Sequence, residues 1–449
     1  MDAINFHLPH IEAWQAAAFI AAMVLLSAIS INLRDTSHRI LVLVLSVIFI
    51  AWLDALSGLY LLIYAHVAYA LMIRKSDRPD LLRGIAWASV LGLLSLKAVQ
   101  AYIGGAAGQH IAYLIGISYY TFRISSTLFD TAKMGKFEGG YLNYLTYCLF
   151  FPIFTGGPIE RYQNFKRVNE YWMDSCRIGM TRVLWGIFKK IFIADVLLLS
   201  LTRWLLVVAN VAQENMDSSI TADRLGFVFA GNLPQELAIF LFGLTSILRA
   251  YIDLSAFTDL AVGGSRLLGY KVAENFNRPL LATDLIDFWR RWHMTIAGWA
   301  RDYIFTPLLL STRRIALAIF LTMLFMGMWH SPSLPWLLWG IGHGLGMVVC
   351  GWWQRTNLHA QIYAFKNPKF LSDWQNRIWQ TKLPLPILPR TINIPLRYMR
   401  NVLITGLSVS TSFIAWTVLF GYMSVIFIFV SVSDMATAMK LITVLFLTE

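Results

Sequence analysis

The sequence predicts an all-α, polytopic membrane protein, and three observations carry that prediction. Hydrophobic residues make up 57% of the 449-residue chain and charged residues only 14%, against about 25% charged in soluble proteins. Mean hydropathy is +0.58. Uncharged stretches also recur at the length of about 20 residues that one helical crossing requires.

Residues 13–33, 55–73 and 139–159 are uncharged, 402–433 is uncharged and long for one span, and 40–53 is uncharged but short. The stretches 82–103, 191–209, 225–248 and 254–268 are apolar with one or two charges each. Together they predict about ten or eleven transmembrane helices, some short, tilted or re-entrant. Soluble-protein sizes would suggest two or three domains. A single integral-membrane domain over residues 1–449 fits this composition better.

Asp54 separates two apolar runs and predicts a tight hairpin at 53–57. Further along, Gly and Pro enter the apolar runs at 116–120 and 150–162. Broken backbone at membrane depth survives only where protein or a water-filled cavity covers it, so these breaks predict a cavity-containing core. Residues 168–182 have mixed polarity and predict an interfacial amphipathic helix that could continue to Lys190. The stretch 354–396 holds five prolines and a basic excess. It predicts a cytoplasmic loop over about 354–400, with one short helix at 371–380. No internal repeat appears, which weakens a secondary-transporter reading.

The net charge is +12. In a membrane protein basic residues report topology, so nucleic acid is excluded as a partner and the lipid bilayer takes its place. Basic clusters at 34–39, 74–83 and 355–400 read as cytoplasmic. The N-terminus, with Asp2 and Glu12 and no Lys or Arg before Arg34, reads as extracytoplasmic. Cys148, Cys176 and Cys350 are too far apart for a metal site or a disulfide framework, and no metal-ligand spacing appears elsewhere.

The chemistry concentrates between residues 284 and 344. Asp287-Phe288-Trp289-Arg290-Arg291-Trp292-His293 is followed by Trp299, Arg301 and Asp302, then Trp329-His330 and Gly342-His343-Gly344. Residues 315–354 contain no Asp, Glu, Lys or Arg, yet hold His330 and His343. Ionisable groups at membrane depth are costly and mark function by default.

His330 precedes Ser331-Pro332, so it sits at a helix end or kink. A neutral imidazole in an apolar cavity is a competent general base; the alternative is a ring donating to a carbonyl freed by the proline. Arg290 and Arg291 can be interfacial anchors among belt tryptophans. Asp287, Arg291, Arg301 and Asp302 can equally form a buried ion-pair network. His343, between two glycines, reads as helix packing. Asp253 and Asp259 need partners, for which Arg249, Arg266 and Arg278 are the nearby candidates. No nucleophile elbow, zincin, phosphate-loop or dinucleotide signature is present.

At this point the motifs resemble a known family. Asn275-Phe276-Asn277-Arg278-Pro279, Asp287 to His293, Trp299-Ala300-Arg301-Asp302-Tyr303-Ile304 and Met328-Trp329-His330 look like the membrane-bound O-acyltransferases. The bacterial branch that modifies alginate and teichoic acids is the most similar, and Phe151-Pro152, 157–161 and 251–255 with Asp259 also resemble it. The likeness is dense over about 116–346.

It implies a many-helix fold around a central funnel and acyl transfer to a hydroxyl. The family's catalytic histidine falls on His330 and its second polar position, Asn or His, on His293. Trp329, Trp292, Arg291, Asp287, Arg301, Asp302 and His343 fall in supporting or substrate-binding places. Ser331 stands where the branch carries glycine and Leu334 where it often carries an aromatic, which bears on acceptor shape.

The implied reaction is O-acetylation or D-alanylation of a cell-envelope polysaccharide or polymer at the plasma (inner) membrane, with no bound cofactor. The co-substrate would be an acyl donor such as an acyl-carrier-protein thioester or acyl-CoA. The implied partners are an acyl carrier protein on the cytoplasmic side and extracytoplasmic envelope-modification proteins. The rival class is a transporter or lipid flippase with His293 and His330 lining its pathway.

Overall fold

A computed structural model of the chain describes residues 33–103, 116–154, 156–168, 172–209, 233–356, 412–432 and 434–447. The predicted first span, the N-terminal orientation and nearly all of the 354–400 loop lie outside those residues.

The described chain is all-α. Its first helices are α1 (Asp35–Arg74), α2 (Pro79–Ile103), α3 (Ile117–Met134) and α4 (Tyr141–Leu149). α5 (Trp172–Phe188) widens into a π-helical stretch at Lys189–Leu198 and runs on as α6 (Leu199–Val208), and α7 (Gln235–Leu267) follows. Two short helices come next, α8 (Leu285–Arg291) and α9 (Met294–Ala300), the latter continued by π-helical Arg301–Phe305 and by α10 (Thr306–Thr312). α11 (Ile315–His330) and α12 (Leu334–Trp353) form an antiparallel pair, and α13 (Ser412–Ser431) and α14 (Met435–Leu447) complete the set. A two-residue ribbon, β1 (Lys166–Arg167) with β2 (Tyr270–Lys271), pairs Lys166 with Lys271.

Six helices among the described residues are long and apolar enough to cross a membrane, and α11 and α14 are shorter apolar helices. Their outward faces carry exposed Ile48, Trp52, Ile63, Leu184, Val349 and Val418. In water so much exposed apolar surface would drive association; against lipid tails it is the required finish.

The predicted hairpin at 53–57 is present inside α1. Asp54 leaves helical geometry (φ −162°, ψ 102°), and its carboxylate accepts from Leu56 N at 3.0 Å and from the Ser57 hydroxyl. It therefore ends one arm and caps the next. A Cβ placed on Gly58 would lie 3.1 Å from the Ile50 side chain and 4.0 Å from its carbonyl carbon. A straight helix would separate those residues by about 12 Å.

Several expectations are corrected. The run 139–159 is not one span: α4 stops at Leu149, and a 3₁₀ turn at Phe151–Ile153 leads into irregular backbone, because Pro152 and the Gly156-Gly157-Pro158 break cannot continue a helix. Within the segment 168–182, the described residues from Trp172 on are helical, and the helix runs on past Lys190 as the sequence suggests. Most of that segment forms the beginning of the span-length helix Met173–Val208. The described part of the stretch 225–248 and the stretch 254–268 merge within one helix, α7 (Gln235–Leu267), with Asp253 paired inside it; residues 225–232 lie outside the described residues.

α5 and α7 pack through small residues. A Cβ on Gly179 would meet Gly263 O at 2.9 Å, and one on Gly263 would meet Gly179 O at 2.7 Å, so only glycine lets these backbones approach. The carboxylates of α7 are paired across this interface: Asp253 with Lys190 at 2.7 Å, and Asp259 with Lys189 at 2.6 Å and Arg182 at 2.7 Å. These close ion pairs come from residues other than the candidates Arg249, Arg266 and Arg278, although Arg249 also lies within electrostatic reach of Asp253; the helix pairing, invisible in sequence, brings α5 alongside.

A cavity of about 760 Å³ opens between α1, α3 and the ribbon, lined by residues including Arg39, Thr131, Glu138, Gln163, Arg167 and Tyr270. None of His293, His330 and His343 lines it.

Candidate active site

The site forms where the α11–α12 hairpin meets the α8–α9 corner. His330 is the last residue of α11; Ser331 caps it in extended conformation, and Pro335 lies at the start of α12. The hairpin is tight because Gly327 and Gly340 face each other: a Cβ on Gly327 would lie 2.3 Å from Trp336 O. That closeness holds the His330 ring against α12. It stacks on Trp336 (centroids 4.3 Å, 16°), touches Trp329 at 4.4 Å, and meets the edge of Trp339 at 5.7 Å. The ring is half-buried, and its nitrogens form no hydrogen bond among the described residues.

Lys97, from α2, completes the helix end. Its Nζ donates to Trp329 O at 2.6 Å and lies 3.4 Å from His330 O. A cation on the last carbonyls of a helix satisfies acceptors that the helix leaves open and complements its dipole.

The α8–α9 corner presents His293. Asp284 caps α8, its carboxylate accepting from Asp287 N at 2.8 Å. Trp292 is extended and His293 takes left-handed geometry (φ 39°, ψ 52°). The segment 275–278 braces the turn: Asn277 N donates to Arg291 O, Met294 N to Asn275 O, and the Thr295 hydroxyl to Asn275 Oδ1 at 2.6 Å. His293 is buried, its ring 6.3 Å from that of Trp329, and its Nδ1 has no partner among the described residues. Burial pushes its pKa down to about 4, so the ring is neutral near pH 7.

His343, one turn further along α12, packs against the Trp339 ring (centroids 4.3 Å, tilted by 45°), and Trp289 Nε1 donates to its Nδ1 at 3.3 Å. His293 is linked to His330 through the Trp329 ring, and His343 through the Trp339 ring. The structure thus brings His330, His293, His343 and Trp329 into one aromatic cluster. Trp292 stands behind it, stacked on Phe288 at 5.2 Å and edge-on to Phe276 at 5.4 Å.

The charged candidates lie apart, and the expected single buried ion-pair network is not formed. Arg291 pairs with Asp287 at 2.9 Å on α8. Asp302 pairs with Arg161 at 3.1 Å, and the side chain of Arg301, 69% exposed, pairs with its neighbour Asp302 at 3.0 Å. The π-helical turn at 301–305 carries Asp302 and Arg301 away from the α8 pair. Arg161 and Tyr303 are also bonded, and Tyr303 donates to Asp130 at 2.7 Å. Sequence reasoning missed Lys97 and Trp336, whereas Asn275, Trp289 and Trp339 stand at positions that the resemblance already covers. Lys97 had a signal, a lone cation deep in an apolar run; Trp336 had none among 17 tryptophans in the chain.

The model of the family described as MBOAT, membrane-bound O-acyltransferase, matches residues 138–379, more than half of the chain. The chain belongs to the membrane-bound O-acyltransferase family. Members similar to it include the probable alginate O-acetylase AlgI of Pseudomonas aeruginosa, 30% identical over 54% of this chain and 43% of that protein. The teichoic acid D-alanyltransferase of Streptococcus thermophilus is 29% identical over 59% of this chain and 63% of its own length. The peptidoglycan O-acetyltransferase of Helicobacter pylori is 28% identical over 59% and 51%. The chain spans about half the length of the alginate O-acetylases it matches. The family match includes α8 to α12 and hence every residue of the His330 cluster except Lys97.

Proposed function

We propose that this chain is a membrane O-acyltransferase that moves an acetyl or D-alanyl group from a thioester donor to a hydroxyl of a cell-envelope polymer. One observation carries the reading: His330 ends a helix with a half-buried imidazole that has no hydrogen bond among the described residues, held there by Lys97 and flanked by a second, neutral histidine. Such a ring is free to accept a proton.

An alcohol is a poor nucleophile near neutral pH, and a positioned base contributes about 10² to 10⁴ in rate. The acceptor oxygen bonds to the thioester carbonyl carbon while His330 takes the hydroxyl proton. The C–S bond then breaks, and the imidazolium returns its proton to the departing thiolate. His293, unable to charge near pH 7, orients acceptor or donor. The donor is an acyl-carrier-protein thioester or acyl-CoA, delivered on the cytoplasmic side where the basic residues 355–400 would meet an acidic carrier. Extracytoplasmic envelope-modification proteins would act downstream, and the membrane would be the plasma (inner) membrane.

The test is deletion and complementation in the organism of origin, with mild-base release of acetate and D-alanine from the envelope. The wild-type gene restores the released ester. His330→Ala, present in the membrane at equal amount, restores less than about one hundredth of it, in line with the loss of a general base. Ester content unchanged by deletion, or fully restored by His330→Ala, overturns the proposal.

A further inference from the structure

The tetrahedral intermediate of acyl transfer carries a negative oxygen, and rate depends on donors already aimed at it. Around His330, two donors on α12 have no acceptor among the described residues: the indole N–H of Trp339 and Nε2 of His343. The proton on His343 Nε2 follows from its other nitrogen. An indole nitrogen only donates, so the bond from Trp289 Nε1 makes His343 Nδ1 the acceptor. In the neutral ring the proton then sits on Nε2.

Both groups are dry: His343 is 0% exposed and Trp339 is 3% exposed. Buried polar groups are nearly always bonded, and exceptions call for an explanation. Trp329 Nε1 and His293 Nδ1 are further exceptions near His330, but the two on α12 lie four residues apart, in ring contact with each other, with Trp339 also in T-shaped contact with the His330 ring. What both lack is an acceptor oxygen.

We infer that Trp339 and His343 donate to the acyl carbonyl oxygen as it becomes an oxyanion, with Trp289 as the positioning residue that holds His343 in its Nε2–H form. The inference rests on the acyl-transfer reading above. As the acceptor oxygen bonds to the carbonyl carbon, the C=O π pair moves onto the carbonyl oxygen, which takes both hydrogen bonds. When the C–S bond breaks, the carbonyl re-forms and the bonds weaken. Neither donor gives up its proton, and the base remains His330.

The experiment uses the full chain in lipid nanodiscs, with acetyl-CoA and a D-alanyl carrier-protein thioester as probe donors and thiol release as the readout. Trp339→Phe keeps the ring and deletes one donor. Its kcat falls about 10²-fold, the usual cost of one oxyanion donor, while KM changes little and the thermal midpoint stays near wild type. His343→Gln, which retains an N–H, keeps more turnover than His343→Leu. A Trp339→Phe chain with kcat within twofold of wild type, or with its loss confined to KM, overturns the inference. It does so even if the His343 variants misfold. A wild-type chain that consumes neither thioester overturns the acyl-transfer reading instead.

Discussion

His293 shows how one backbone angle narrows the choice of residue. At φ 39° it occupies the left-handed region, where Asn, Asp and His are enriched and β-branched residues are strained. A position at which the resemblance implies Asn or His is therefore also one that its backbone restricts to such residues. Its burial has a pH consequence. The unfolded ring titrates near 6.5 and the folded ring near 4. Below pH 6.5 the unfolded chain binds a proton that the folded chain refuses, so stability falls as pH drops. The full effect at pH 7 erodes by up to about 2 kcal/mol by pH 5. His293→Asn, which suits the backbone and cannot titrate, should flatten the slope of the thermal midpoint between pH 7 and 5 in detergent. An unchanged slope would show that the ring is not held neutral by the fold.

At the scale of elements, the deciding feature is how α11 ends. Pro332 stops the helix, Gly327 against α12 sets its depth, and Lys97 from α2 closes its last carbonyls. Replacing Lys97 with Met leaves a buried carbonyl without its donor, a cost of about 1–3 kcal/mol, and loosens the base. Turnover of Lys97→Met should drop at least about 10-fold, as small misplacements of a catalytic group do. Lys97→Arg, still a donor, should recover part of it. Wild-type kcat in Lys97→Met would sink the positioning role. The same scale explains the broken run at 150–162: Glu160, 2% exposed, accepts from Ala273 N at 2.6 Å and Arg161 N at 3.0 Å. The irregular backbone is thus tied down by protein, as membrane depth demands.

Across the whole molecule, the α5–α6 and α7 helices are zipped together by glycines and ion pairs. Asp253, with a side chain 4% exposed, depends on Lys190. Removing one partner of a buried pair costs about 3–5 kcal/mol, whereas removing both can be nearly neutral. Asp253→Ala should lower the thermal midpoint sharply, and Asp253→Ala with Lys190→Met should regain most of it. Strictly additive losses in that double-mutant cycle would rule out the pairing.

The class of this protein was legible in its composition, because a bilayer demands apolar helices of set length and few charges. His330 and His293 were legible as candidates, His330 because a polar ring in an apolar run is conspicuous and His293 through the motif that it ends. The partners were not. Asp253 and Asp259 are answered by lysines and an arginine from α5 and the π-helical stretch after it, Asp302 by Arg161, and the His330 helix end by a lysine over 200 residues earlier. His343, which by its glycine neighbours reads as packing, lies within the His330 cluster. Sequence spacing reports which residues share a helix face, and so could determine spans, breaks and costly side chains. Which helix lies beside which is a matter of long-range packing, and that alone decided every pairing across the site.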